Sequence, residues 1–275
     1  MQSTNKHNFF TDVKKYSPLL KNLVVKDIKL KYRRSALGIA WSVLNPLFTM
    51  LVLTQVFGML LKIKVANFAT YYIVGFSIWS FFSEATTASL SSVINAAPLI
   101  KKVYIPKYVF PLEKCLFSLV NFAFSLIAVL IVMIFQGVYP TFYILLFFIP
   151  VIYTFIFVCG MCLFLSAATV FFRDIEHLYG VLLTVWMYLT PIIYPLTIID
   201  SVPGKIASIV KRVIYLNPLT HFVEYFRCIM MHSTEMYSGM PGIKENIVCL
   251  VMSLIVFVIG AFVFNKAQKK FILYI

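Results

Sequence analysis

Long apolar runs alternate with short polar breaks along this chain. Six runs are read at about 39–61, 70–93, 115–136, 141–170, 178–199 and 246–264. A helix needs about 20 apolar residues to cross the hydrocarbon core of a bilayer, and each run is close to or above that length. The fourth exceeds it and is expected to tilt or to project from the membrane. The runs are continuous rather than alternating, which excludes a transmembrane β-barrel. The expected fold is an all-α polytopic membrane protein with six transmembrane helices.

Two polar stretches have helical patterns of their own. In "SPLLKNLVVKDIKLKYRR", Leu19, Leu20, Leu23, Val24 and Ile28 share one half of a helical wheel. Lys21, Asn22, Lys26, Lys29 and Arg33 share the other; Val25, Lys31 and Arg34 break the pattern. The pattern predicts an amphipathic helix lying on the inner leaflet, starting at the Ser17 cap and Pro18. The region from Asp200 to Glu245 is too long for a plain loop. Ile206, Ile209, Val210, Val213 and Ile214 repeat at helical spacing, and Leu219, Phe222, Val223, Phe226, Ile229 and Met230 do so after Asn217-Pro218. These are read as two short re-entrant helices on the outer side before the last span, hinged at the proline.

Charge sets the orientation. Of 24 Lys and Arg, seventeen fall in residues 1–38, 94–114, 171–177 and beyond 264; seven fall in 62–69 and 200–245. The positive-inside rule then places both termini and the 94–114 loop in the cytoplasm. The first 38 residues hold no apolar core of signal-peptide length, in keeping with that placement. The formal charge of +14 is thereby accounted for by orientation and anionic headgroups, and nucleic acid is not expected as a partner. Of the five cysteines, Cys159 and Cys162 form a CxxC within an apolar run. Without a second ligand pair they are read as packing residues, and no metal site is expected.

The acidic inventory is small. Ten Asp and Glu are present and only Glu84 lies clearly within a span, in "SEATTASLSS". It is either a structural polar contact between helices or part of a transport pathway. No Walker A pattern is present, so any ATP hydrolysis must come from another subunit. Pro46, Pro150, Pro191 and Pro195 lie in apolar runs. "LTPIIYPL" is expected to be a broken helix, where a gate would sit. Phe48, Phe57, Trp79, Trp186, Tyr188 and Tyr194 could line a conduit, where aromatic faces stack on sugar rings, or belong to interfacial belts. On the cytoplasmic side, Pro98 starts a short helix carrying Leu99, Ile100, Lys101, Lys102, Val103 and Tyr104, which Pro106 and Pro111 end or redirect. Two turns are unstable alone, so this helix is expected to have a partner.

"DIKLKYRRSALGIAWSVLNPL", "APLIKKVYIPKYVFPLEK", "FFRDIEHL" and "LTPIIYPL…LNPLTHFVEYFR" together resemble the permease subunits of polysaccharide-exporting ABC transporters. That group covers O-antigen, wall teichoic-acid and capsule exporters. The resemblance implies a plasma-membrane homodimer in a bacterium, with a pair of ATPase subunits that bind ATP and Mg; this chain would carry no cofactor and no catalytic residue. It implies that residues 98–104 are the coupling helix and that Lys29, Lys31, Arg33 and Arg34 lie near headgroups and the pyrophosphate of a lipid-linked glycan. The helices at about 203–231 would be the outer gate, with Pro191, Pro195, Asn217, Pro218 and Phe222. The first, second and fifth spans would line the conduit, with Glu84 beside its aromatics. The chain would divide into a cytoplasmic segment (1–38), the six-span domain (39–264) and a tail (265–275). It also makes the cluster of Arg173, Asp174, Glu176 and His177 a turn at the membrane edge rather than the centre of a membrane glycosyl- or acyltransferase. An ATP-independent flippase is the other alternative.

Overall fold

The computed structural model describes residues 9–33, 35–57, 66–103, 105–201 and 204–274. All regular structure among them is helical. The elements are α1 (Phe9–Lys31), α2 (Trp41–Gln55), α3 (Phe68–Leu90), α4 (Ser92–Asn95), α5 (Ala97–Ile100), α6 (Val109–Phe135), α7 (Phe148–Phe171), α8 (Ile175–Tyr188), α9 (Leu196–Ser201), α10 (Lys205–Leu216), α11 (Pro218–Met230) and α12 (Ile243–Ala267). Among the described residues, four segments are long and apolar enough to cross a membrane: Gly38–Gln55, Val109–Phe135, Phe142–Phe171 and Ile243–Ala267. The chain is a multi-pass membrane protein.

The most enclosed helix is not among those four. α3 has 23 residues and contains Thr70, Tyr71, Tyr72, Ser77, Thr86 and Ser89, all buried. It packs against α6, α7, α11, α2 and α8. A helix surrounded by others needs no uniformly apolar surface. Its Ser77, Thr86 and Ser89 hydroxyls donate to carbonyls one turn back.

α7 and α12 pair along more of their length than any other two helices. Gly160 and Gly260 face each other there, and a methyl on either would meet the backbone of the opposite helix. Small residues that let helix backbones touch are a common way to join helices in lipid.

Several boundaries differ from the sequence reading. α1 does not begin at Ser17; it runs from Phe9 through Pro18. One proline removes one hydrogen bond, and the helix continues on both sides of it. Leu20 and Val24 are buried and Val25 is exposed. α6 begins six residues before the predicted third span, so Pro111 lies in its first turn, where a missing N–H costs nothing. The fifth run breaks: α8 stops at Tyr188, the backbone turns through Pro191, and helix resumes at Leu196. Residues 58–61 of the first span, with Arg34, Tyr104 and residue 203 of the predicted gate, lie outside the described residues.

Candidate functional site at the broken helix and the cytoplasmic loop

The break after α8 frees backbone carbonyls, and their chief partner is the Arg227 side chain, with the Tyr71 hydroxyl donating to the Tyr194 carbonyl at 3.0 Å and the Pro191 carbonyl at 3.4 Å. Arg227 is fully buried. Its Nη1 donates to the Pro191 carbonyl at 2.6 Å, the Tyr71 hydroxyl at 2.7 Å and Glu224 Oε1 at 2.8 Å. Its Nη2 donates to the Ile192 carbonyl at 2.9 Å, and Nε to the Tyr71 carbonyl at 3.2 Å. The guanidinium lies 3.5 Å from the centre of the Tyr71 ring. Gly75 makes room for it, since a methyl there would overlap Nη2. The Tyr237 hydroxyl donates to Glu224 Oε2 at 2.8 Å; burial, with Glu224 beside it, pushes that hydroxyl well above its usual range. α3, the broken segment, α11 and the outer 3-10 turn at Glu235–Tyr237 are thus held by one buried cation. Planar, always-charged guanidinium suits a fork of fixed carbonyls better than an ammonium would.

A second knot sits beside it. Asn217 caps α11, accepting from the Leu219 N–H at 3.1 Å and from the Trp186 indole N–H at 2.9 Å. Its amide donates to the Thr190 hydroxyl at 2.9 Å. Pro218 fills the first helical position, where it lacks only an N–H that the helix leaves unused. Phe222 is buried with its ring edge on Phe157, and Trp186 stands edge-on to Phe82.

In the loop between α3 and α6, Pro98 lies in the first turn of α5. Helical hydrogen bonds continue from α5 to Val103, whose N–H reaches the Leu99 carbonyl at 3.0 Å. Ile100 packs into a cluster of Val93, Leu163, Val170, Phe264 and Phe271. Pro98, Leu99, Lys101, Lys102 and Val103 are exposed. Lys107 braces this loop: its ammonium donates to the Gln268 carbonyl at 2.6 Å and lies over the Phe271 ring. Burial pushes its ammonium below the usual lysine range.

A profile of the ABC-2 type transporter membrane family matches residues 18–231, which takes in α3, the α5 loop, the broken segment and the amphipathic helices α10 and α11. The chain belongs to that family. It is also similar to the O-antigen export system permease protein RfbA of Myxococcus xanthus, 28% identical over 256 residues that cover 93% of this chain and 95% of that protein. The RfbA protein of Klebsiella pneumoniae is 28% identical over 255 residues, covering 92% and 93% respectively.

In this ABC-2 chain the residues expected at a gate come together: Pro191, Asn217, Pro218 and Phe222 lie around one break, and Trp186 is bonded to it. Pro195 is buried at the start of α9. The aromatics named for a conduit separate into two kinds. Phe48 and Tyr188 are exposed on α2 and at the end of α8. Trp79 is buried, and Phe57 and Trp186 are partly buried against the core. The Tyr194 hydroxyl donates to the Tyr188 carbonyl at 2.6 Å. Lys29 and Arg33 lie along a shallow surface at the end of α1, whereas Lys31 turns inward to Glu84. Arg173 and Asp174, between α7 and α8, and Glu176 and His177, in the first turn of α8, are exposed.

Sequence reasoning passed over Arg227. Its signal was present: it stands four residues after Val223 and eight after Leu219, at the edge of the apolar stripe of α11, with Glu224 one turn earlier.

Proposed function

We propose that this chain is the membrane subunit of an ATP-driven exporter that moves a lipid-linked polysaccharide, of O-antigen, teichoic-acid or capsular type, to the outer side of the bacterial inner membrane. Two copies form the conduit, and a separate pair of ATPase subunits binds ATP and Mg. The names of the relatives support the cargo class. The observation that carries the reading is the cytoplasmic loop: an apolar and basic tip, Leu99, Lys101, Lys102 and Val103, exposed on a base that Ile100 and Lys107 hold rigidly. A stiff lever with an unpartnered tip suits transmission of motion from another protein.

In this reading both termini are cytoplasmic, α3 and α8 with its broken extension complete six spans, and α10 and α11 are the re-entrant outer pair. Segments 1–38, 39–264 and 265–275 are the interface helix, membrane domain and tail. α1 lies on the inner leaflet, with Lys29, Arg33 and Arg34 toward headgroups and cargo phosphate. The exposed apolar faces of α2 (Phe48, Leu51, Val52) and α8 (Leu178, Val181, Val185) are those a second copy would cover. Nucleotide binding closes the ATPases, the coupling loops shift, and the broken segment and Asn217 hinge open the outer side. The different nucleotide affinities of the two states drive the conformational change.

The test is co-purification with the ATPase encoded beside it, followed by cargo-stimulated hydrolysis. Leu99→Asp with Val103→Asp is expected to abolish co-purification and to reduce stimulated hydrolysis at least ten-fold, with an unchanged melting profile because both side chains are exposed. Transport of lipid-linked sugar in vesicles without ATP or an ATPase would overturn the reading in favour of an independent flippase.

A further inference from the structure

Between the end of α1 and helices α2, α3 and α6 lies a cavity of about 190 Å³. Three helices each turn a polar row into it, at one helical spacing. α2 contributes Ser42, Asn45 and Thr49; α3 contributes Ser77, Ser80 and Glu84; α6, otherwise strongly apolar, contributes Asn121 and Ser125. Residues spaced by three or four share one helix face, so the rows run side by side. From Glu84 to Ile73 at its far end the groove follows α3 for about 16 Å.

One end carries charge. Lys31 Nζ lies 2.7 Å from Glu84 Oε1, and the Asn121 amide donates to the same oxygen at 2.9 Å. The Tyr32 hydroxyl joins Ser42 and reaches Asn121 Oδ1 at 3.4 Å. Trp41 and Asn45 are exposed at the mouth, and the rings of Phe76 and Phe81 form part of the wall. Such a lining is costly within a membrane span unless water or a polar ligand fills it. At about 30 Å³ per water the volume holds roughly six. It therefore also accommodates a single pyranose ring, which needs hydroxyl partners at its edge and an aromatic face alongside.

We propose that this groove is a subsite for one sugar ring of the cargo, with Glu84 accepting ring hydroxyls and Asn121 holding the carboxylate in place. The proposal rests on the exporter reading. It places carbohydrate recognition inside each copy, beside α1, apart from the faces that two copies would share. Lys31 is the latch: when ring hydroxyls take over Glu84, its ammonium is free to meet the phosphate of the lipid carrier.

The experiment uses the full chain in a sugar-free detergent and follows tryptophan emission, since Trp41 stands at the mouth. The probes are farnesyl-diphospho-glucose, farnesyl diphosphate and free glucose. The sugar-linked probe is expected to change the emission, and Trp41→Phe to remove that change. Glu84→Gln is expected to weaken sugar-linked binding at least ten-fold while farnesyl diphosphate, which meets the freed Lys31, binds no more weakly than before. Ser80→Leu fills the groove one turn before Glu84 and keeps the carboxylate; it is expected to give the same loss with an unchanged melting profile, which keeps the test independent of any folding defect in Glu84→Gln. Equal binding of the two farnesyl probes, or unchanged binding in both variants, would overturn the subsite and leave a water-filled contact. If cargo still stimulates the partner ATPase in that case, the exporter reading stands alone. If the probe binds through Glu84 but no ATPase responds, the subsite stands and the exporter reading falls.

Discussion

Arg227→Met is expected to lose about 3–5 kcal/mol of stability, the range for removing one partner of a buried ion pair. A second estimate agrees. Arg227 makes five hydrogen bonds, and hydrogen bonds between membrane helices average about 0.6 kcal/mol each. Their loss alone comes to roughly 3 kcal/mol, before the cost of stranding Glu224. Methionine fills the volume but takes the donor from the Ile192 carbonyl and leaves the Pro191 carbonyl only the Tyr71 hydroxyl at 3.4 Å. Arg227→Lys keeps the charge and loses the fork, so it should fall between. Tyr71→Phe removes one partner and should cost least. Thermal unfolding of the detergent-solubilised protein checks the order. A melting curve for Arg227→Met equal to that of the parent would mean that water replaces the guanidinium and that the broken segment is held by other contacts.

Gly260→Leu is expected to cost about 3 kcal/mol, the upper end for overpacking. The neighbour that a new side chain would meet is the Gly160 backbone. Backbone cannot rotate aside as a side chain can, so α12 must move away from α7. That is the longest helix pairing in the fold, and its separation unseats Phe264 from the cytoplasmic cluster. Gly260→Ala should already destabilise, in proportion to its smaller volume. Yield of monodisperse protein after extraction, measured for the series Gly, Ala, Leu, should fall at each step. An unchanged yield for Gly260→Leu would show that the α7–α12 crossing tolerates separation.

Features encoded by neighbouring residues were legible in the sequence. The apolar runs located α2, α6, α7 and α12. Two prolines four residues apart marked the break after α8, and Asn217-Pro218 marked the start of α11. Pro98 marked the start of the cytoplasmic turn. Features that join distant residues were not. Arg227 meets carbonyls 35 and 36 residues away; the Pro191 carbonyl is free because Pro195, four residues on, has no N–H, and the Ile192 carbonyl because the helix is interrupted there. Glu84 could be read as polar and costly, but its partner Lys31 is 53 residues off and belongs to a helix read as lying on the surface. Gly160 and Gly260 are unremarkable in their own runs; only the crossing of α7 and α12 gives them a role. α1 shows a local signal that misled: Ser17-Pro18 has the form of a helix start, yet the helix continues on both sides of it.

Phe271 is wholly buried against Val93 and its neighbours, on the same cluster that seats Ile100. Protein synthesis adds about 5–20 residues per second. About 170 residues separate Ile100 from Phe271, so roughly 10 to 30 seconds pass between making the α5 loop and making the ring that completes its floor. During that interval the exposed tip at Leu99–Val103 stands on an incomplete base. If that tip docks an ATPase as proposed, assembly is ordered in time: the chain must be nearly finished before the partner has a completed surface to hold.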